Sequence, residues 1–208
     1  VIGQRAEAPG TPTVVSRRLS AAQSATREKL IDAALELASA GGQDASGLRD
    51  VARRAGLSAA TAYQYFSSRD ELLVALLDRL ERRSRESAQH RIDKGEPPAK
   101  RLRGLLEAVL REVRQHPRLY QAMFTAWIAS HPGGDPHAAL PWHGVQDSWI
   151  ALALGPGPRA DAVAATLDHV LLGAMVAVIT EQPWEEISRT LDSAVDLLLA
   201  GAEATDGA

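Results

Sequence analysis

Residues 46–70, SGLRDVARRAGLSAATAYQYFSSRD, constrain this chain more than any other stretch. They read as two short helices joined by the tight turn Gly56-Leu57-Ser58, with a further helix opening at Ser68. Short helix, glycine-containing turn, short helix is the helix-turn-helix pattern, whose second helix lies in the DNA major groove. Ser58 is positioned to cap that second helix, over about 59–66. At about 100° per residue, Ala59, Ala62 and Phe66 share an inward face. Thr61 and Gln64 lie opposite with Ala60 beside them, and Tyr63 and Tyr65 flank the outward surface on either side. An uncharged surface of Thr, Gln and Tyr is odd against water and apt against a groove. Gln can bond an adenine edge through both amide atoms, Thr can touch a thymine methyl, and Tyr hydroxyls can reach phosphates. The alternative is that either tyrosine completes the core.

The flanking pattern is helical. From Thr26, a candidate cap, Leu30, Ala33, Ala34, Leu37 and Ala38 recur at three- and four-residue steps until Gly41-Gly42. The next helix, about 47–55, turns Leu48, Val51, Ala52 and Ala55 inward and Arg49, Arg53 and Arg54 outward. Ser46 or Gly47 must cap it, with Asp50 completing a partial capping box. A long helix over about 69–91 has a leucine stripe (Leu72, Leu73, Leu76, Leu77, Leu80). Its second half, ERRSRESAQHR, reads as a solvated face. The domain junction falls inside this helix: 1–23 a flexible arm bearing Arg5, Arg17 and Arg18, 24–72 the helix-turn-helix domain, 73–208 a second domain.

That second domain reads as helix throughout: about 100–115, 117–130, 142–154, 159–181 and 184–202. Gly/Pro-dense HPGGDPHAALP at 131–141 and GPGP at 155–158 interrupt it. No strand alternation or internal repeat occurs, so the fold class is all-α, about nine helices. The 159–181 helix is apolar on nearly all sides and must be buried on nearly all sides. Val163, Leu167, Val170, Leu171, Ala174 and Val178, with Leu191, Ala194 and Leu198 of the last helix, form two stripes. These suit a four-helix interface between two copies, with Gly173 allowing close approach, or else the core of a monomer. Asp168 and His169 could orient a ligand, bond across that interface or stay satisfied in the core. Tyr120, Met123, Phe124 and Trp127 fall close to one face, and Trp142 and Trp149 stand one heptad apart. Such side chains line apolar pockets or simply fill cores.

Composition narrows the classes. The 208 residues, 45% hydrophobic and 24% charged, are ordinary for a globular protein. Without cysteine, disulfide and thiolate chemistry are unavailable. Residues 1–70 carry a net charge of +2 and the remainder −5, so any phosphate-facing surface must be local. The N-terminus lacks a signal-peptide layout and no charge-free apolar run approaches about 18–20 residues; the expectation is a cytoplasmic protein with no membrane span. His131, Asp135, His137 and His143 lack fixed metal-ligand spacing, GPG at 155–157 follows no strand, and no G-x-S-x-G occurs. No metal, cofactor or catalytic residue is expected. A helical enzyme or a protein-binding scaffold remains the alternative, and the scaffold leaves the polar face of 59–66 unexplained.

The strings TREKLIDAALELASAGG, LRDVARRAGLS and TAYQYFSSRDELL, within residues 26–77, resemble the DNA-binding region of the TetR family of transcriptional regulators. The resemblance covers about a quarter of the chain and departs at Gly47, where the family usually has Thr or Ser, and at Ala62, where Leu is usual. It implies a ligand-responsive regulator, a repressor, binding a palindromic double-stranded DNA operator as a homodimer. Its C-terminal helices would form the ligand-binding and dimerisation domain. Carried over by position, it implies DNA contacts from Arg49, Ser58, Ala60, Thr61, Tyr63, Gln64, Tyr65 and Arg69. It also implies an effector pocket among the middle helices, lined by Tyr120, Met123, Phe124, Trp127, Trp149 and Met175. The few charges on inward faces point to a largely apolar effector. A likeness of the head to sterol- and acyl-thioester-responsive members points the same way.

Overall fold

The computed structural model describes residues 20–39, 47–130, 148–157 and 159–203. Among them run α1 (Ala21–Ser39), α2 (Leu48–Arg54), α3 (Ala59–Tyr65), α4 (Arg69–Asp93), α5 (Pro98–Gln115), α6 (Pro117–Ser130), α7 (Trp149–Leu154), α8 (Ala160–Ile179) and α9 (Trp184–Glu203). No strand occurs among the described residues.

The first helix opens earlier than Thr26. The Ser20 backbone N–H donates to Gln23 Oε1 at 2.8 Å, and Ser20 Oγ accepts from the Gln23 N–H at 3.2 Å. This is a reciprocal capping box, while the Thr26 hydroxyl donates back to the Ala22 carbonyl. Residues 21–23, expected in the arm, therefore belong to α1. The remainder of the arm and the Gly41-Gly42 stop lie outside the described residues.

Helices α2 and α3 have seven residues each, too few to persist alone in water. Tertiary burial holds them. Leu30, Ile31 and Ala34 of α1, Leu48, Val51 and Ala52 of α2, and Ala62 and Phe66 form a continuous core with Leu72, Leu73 and Leu76 of α4. Each large side chain so buried contributes about 1.5–3 kcal/mol. The turn between α2 and α3 depends on Gly56 at φ +69°, a left-handed conformation costly for other residues. With it, the Leu57 N–H donates to the Ala52 carbonyl at 2.9 Å and closes α2.

Helix α4 runs 25 residues without a break, from the head core into a bundle where it packs on α5, α6 and α7. The short helix α7 opens at Trp149, and the expected start near 142 lies outside the described residues. Ser148 is extended (φ −62°, ψ 134°) and its Oγ accepts from the Ile150 N–H at 3.1 Å. At its other end Arg101 Nε donates to the Ala153 carbonyl at 2.8 Å. Helix α8 has a mean hydropathy of 2.0 and the length to cross a membrane by composition alone. Asp161 and Asp168 charge it, so the expectation of no charge-free run of about 18–20 residues holds among the described residues. Its inward face packs on α5, α6, α7 and α9, as expected of the central helix of a bundle.

Candidate DNA-reading face and helical cavity

Ser58 seats α3. Its Oγ accepts from the Thr61 N–H at 3.0 Å and lies 2.8 Å from Thr61 Oγ1, so the Thr61 hydroxyl is already engaged and the side chain is half-buried. Ala60 and Gln64 are exposed, and Tyr63 projects at 51% exposure. Tyr65 does not mirror it: the ring is half-buried and packs on the core, correcting the symmetric placement of the two tyrosines. The outward surface therefore centres on Ala60, Tyr63 and Gln64. Behind it Ala62 and Phe66 are fully buried, and the Arg27 guanidinium lies 5.1 Å from the Phe66 ring centroid, a cation–π contact that no helical pattern flags.

The neighbouring arginines differ in their freedom. Arg53 pairs with Asp50, and Arg54 reaches Glu36 of α1 at 2.6 Å. Arg49 and Arg69 are exposed and form no ion pair with any described residue. Asp50 is thus engaged with Arg53, and Gly47 caps α2 without any side-chain bond; the partial capping box does not form.

A cavity of about 410 Å³ lies along α4, walled by α5, α6, α7 and α8. Of the expected lining residues it receives Tyr120, Trp149 and Met175. Met123 is fully buried in the core instead, and Phe124 and Trp127 pack half-buried against that core without facing the cavity. Leu171, assigned by its pattern to the dimer stripe, lines the cavity. The larger correction concerns α4. Glu81, Arg83, Ser84, Ser87, His90 and Arg91, read as a solvated face, line the cavity opposite Leu105, Val109 and Glu112 of α5. The lining is therefore amphipathic, against the expectation of few inward charges. Arg91 pairs with Glu96 at 2.9 Å and lies so close to α5 that a Cβ on Gly104 would meet its guanidinium at 2.6 Å. Burial, and then Glu112, raise the Tyr120 hydroxyl above its ordinary range. Trp142 and the histidines at 131, 137 and 143 lie outside the described residues.

The interface stripes are also redistributed. Val163, Leu167, Val178 and Leu191 are buried within the chain, and Val170, Ala174, Ala194 and Leu198 are half-buried. Besides Asp161 in its first turn, α8 leaves open Ala162, Thr166, His169, Gly173 and Val176, continued by its C-cap Thr180, which recur at three- and four-residue steps on one face. Val176 is 49% exposed, Leu197 of α9 is 74% exposed, and nothing lies within 4 Å of where a Cβ on Gly173 would stand. Asp168 points inward and accepts from Ser148 Oγ at 3.3 Å. His169 points outward.

Residues 30–76 match the family model described as bacterial regulatory proteins, tetR family. The chain is 32% identical over 191 residues to the HTH-type transcriptional repressor KstR of Mycolicibacterium smegmatis, covering 88% of this chain and 92% of that protein. It is 33% identical to KstR of Rhodococcus jostii, over 86% of this chain and 85% of that one. Among solved structures, FadR of Thermus thermophilus, a repressor in complex with lauroyl-CoA, superposes with a TM-score of 0.64 at 19% identity. That match covers 83% of this chain and 93% of that one. A TetR regulator from Rhodococcus sp. RHA1 gives 0.63 at 23% identity, over 86% and 97%.

Proposed function

This chain belongs to the TetR family of bacterial regulators and is a ligand-responsive transcriptional repressor, not an enzyme; we infer that it holds a palindromic operator as a homodimer and releases it when an effector fills the cavity along α4. The observation that carries this reading is the continuity of α4. One helix supplies Leu72 and Leu73 to the head core and Leu77 to Arg91 to the cavity wall. A ligand that prefers one placement of α4 therefore biases the placement of the head, and only such differential affinity produces release.

On the DNA side, Tyr63 and Gln64 would read base edges with Thr61 and Ala60 beside them, and Ser58 would hold their helix. Arg49 and Arg69, unpaired among the described residues, would hold phosphates, with Tyr65 at the margin. On the assembly side, the open face of α8 and Leu197 would meet their copies in a second chain, which would complete the burial of an apolar helix. Such a protein acts in the cytoplasm, where its operator is.

The effector suited to this cavity is amphipathic rather than wholly apolar. Leu77, Leu105, Val109, Trp149, Leu171 and Met175 would hold a hydrocarbon body, and Arg83, His90 and Arg91 an anionic part. An acyl thioester has that chemistry, and the Thermus FadR structure holds one. A mobility-shift assay on the DNA upstream of the chain's own gene tests the reading. Salt-sensitive binding of a discrete complex, reversed by lauroyl-CoA or a related thioester, is expected. Absence of any salt-sensitive complex there would contradict it.

A further inference from the structure

Glu81 is the one carboxylate that α4 turns into the cavity wall, and it meets the start of α7 and the middle of α8. The Trp149 backbone N–H donates to it. Asp168 of α8 faces it, itself bonded by Ser148 Oγ and flanked by His169. From α4, Asp78 and Arg85 face it; α5 and α6 bring Glu112 and Tyr120 to the same cavity, with Arg83 opposite those two. Two acids thus oppose one cation around Glu81, and the cavity wall it joins also carries the apolar side chains of Leu77, Trp149, Leu171 and Met175. Burial, and then Asp168, raise the Glu81 carboxyl to about 8, so it keeps its proton at neutral pH. A neutral carboxylic acid in an apolar wall is a hydrogen-bond donor, and no described residue is bonded to receive its proton.

The cavity has a direction. Of its lining, Leu77, Tyr120, Trp149, Leu171 and Met175 are buried, whereas Arg83, Ser87 and His90 are exposed. From Glu81 to Arg91 is about 15 Å along α4 at the helical rise of 1.5 Å per residue, room for an extended chain of roughly ten carbons.

We propose that Glu81 selects the effector by donating a hydrogen bond to an uncharged oxygen, a ketone, ester or hydroxyl, at the inner end of its apolar body, and that it rejects ligands bringing a carboxylate there. The effector is then a doubly functional molecule, with a neutral oxygen at the inner end and its charge, if any, toward His90 and Arg91. The inference rests on the cavity being the effector site, and the test separates the two claims.

Three matched probes, 2-decanone, 1-decanol and decanoate, are titrated into the full-length protein with Trp149 fluorescence as the signal and Trp149→Phe as its control. At about pH 6.5 the ketone and alcohol are expected to bind at least about tenfold tighter than decanoate. Raising the pH to about 9.5 weakens the ketone about tenfold, since it needs a donor, and leaves the alcohol, which can donate to the carboxylate, within about threefold. Glu81→Gln, a donor at every pH, keeps ketone binding and removes its pH dependence. Glu81→Leu removes the preference for the ketone over decanoate. Saturable binding of all three without discrimination, or a ketone pH profile unchanged in Glu81→Gln, overturns the role of Glu81. Binding of none of the three overturns the cavity as the effector site, and the proposal with it.

Discussion

Arg49 and Arg53 sit four residues apart on one helix, yet only Arg53 has a carboxylate beside it. That difference decides which of them a phosphate can recruit without first breaking an ion pair. The same local accounting applies at the cap of α2. Gly47 has φ −65° and ψ 135°, which any residue adopts, and a Cβ there would meet only the Asp50 carboxylate at 3.3 Å. Gly47→Ser should therefore raise stability by about 0.5 kcal/mol, by supplying an N-cap acceptor and restricting the unfolded chain. A urea melt that shows a loss would mean that Asp50 cannot yield. Glu81 gives a pH signature with a definite sign. Its folded-state value of about 8 lies above the ordinary 4.5, so the folded protein binds this proton more tightly than the unfolded chain. Its contribution is favourable at low pH and declines as pH rises from about 4.5 to 8; Asp168, raised to about 6, acts in the same direction over a lower window. Urea midpoints at about pH 5, 6.5 and 8 should fall for the wild type and fall distinctly less for Glu81→Gln. Parallel curves would show that Glu81 is ionised in the folded state throughout.

Helix α4 carries two tasks, and its sequence shows only one of them plainly. Its first half holds the head through Leu72, Leu73 and Leu76, and an ionic clamp fixes α1 against it: Arg79 pairs with Glu28 and lies 2.7 Å from Asp32, with Arg82 3.7 Å from Glu28. These pairs are partly exposed, so Arg79→Ala should cost about 1 kcal/mol or less. It should nevertheless blunt effector-induced release, because α1 would no longer follow α4. Full release with unchanged dose dependence would place the coupling elsewhere. The stripe of the first half was legible because leucines at three- and four-residue steps admit one reading. The second half misled because Glu81, Ser84, Ser87 and Arg91 fall on one face by the same periodicity whether that face meets bulk water or a wet cavity. Only the position of α5, set by the close approach of Arg91 to Gly104, tells the two apart. The start of α1 escaped the sequence reading although the reciprocal pair Ser20 and Gln23 marks it, because Thr26 offers a competing cap closer to the leucine stripe. The start of α7 was hidden because the caps that define it come from a serine in an otherwise helix-compatible run and from Glu81 of another helix. On α8, apolarity all round concealed which side is already filled. Leu167 and Leu171 went inward, and the small residues Ala162, Gly173 and Thr180 mark the open face.

The whole molecule joins a DNA-reading head, a cavity and an open apolar face through shared helices, and each junction is a place to separate assembly from recognition. Leu197 touches little within the chain, so Leu197→Arg should leave the fold and its melting temperature nearly unchanged. It should convert a sedimenting dimer to monomer at micromolar concentration and weaken operator binding by at least about tenfold. A dimer that survives this change would move the interface off α8 and α9. Whether two copies read a palindrome through α3 is decided by measuring the affinity of wild-type protein and of Gln64→Ala for every single-base variant of the operator. Gln64→Ala is expected to lose about 1–3 kcal/mol of discrimination at one base pair in each half-site, at symmetry-related positions. Arg69→Ala in the same experiment should weaken all variants alike. Base preferences unchanged in Gln64→Ala, or altered at a single unsymmetrical position, would contradict such a reading.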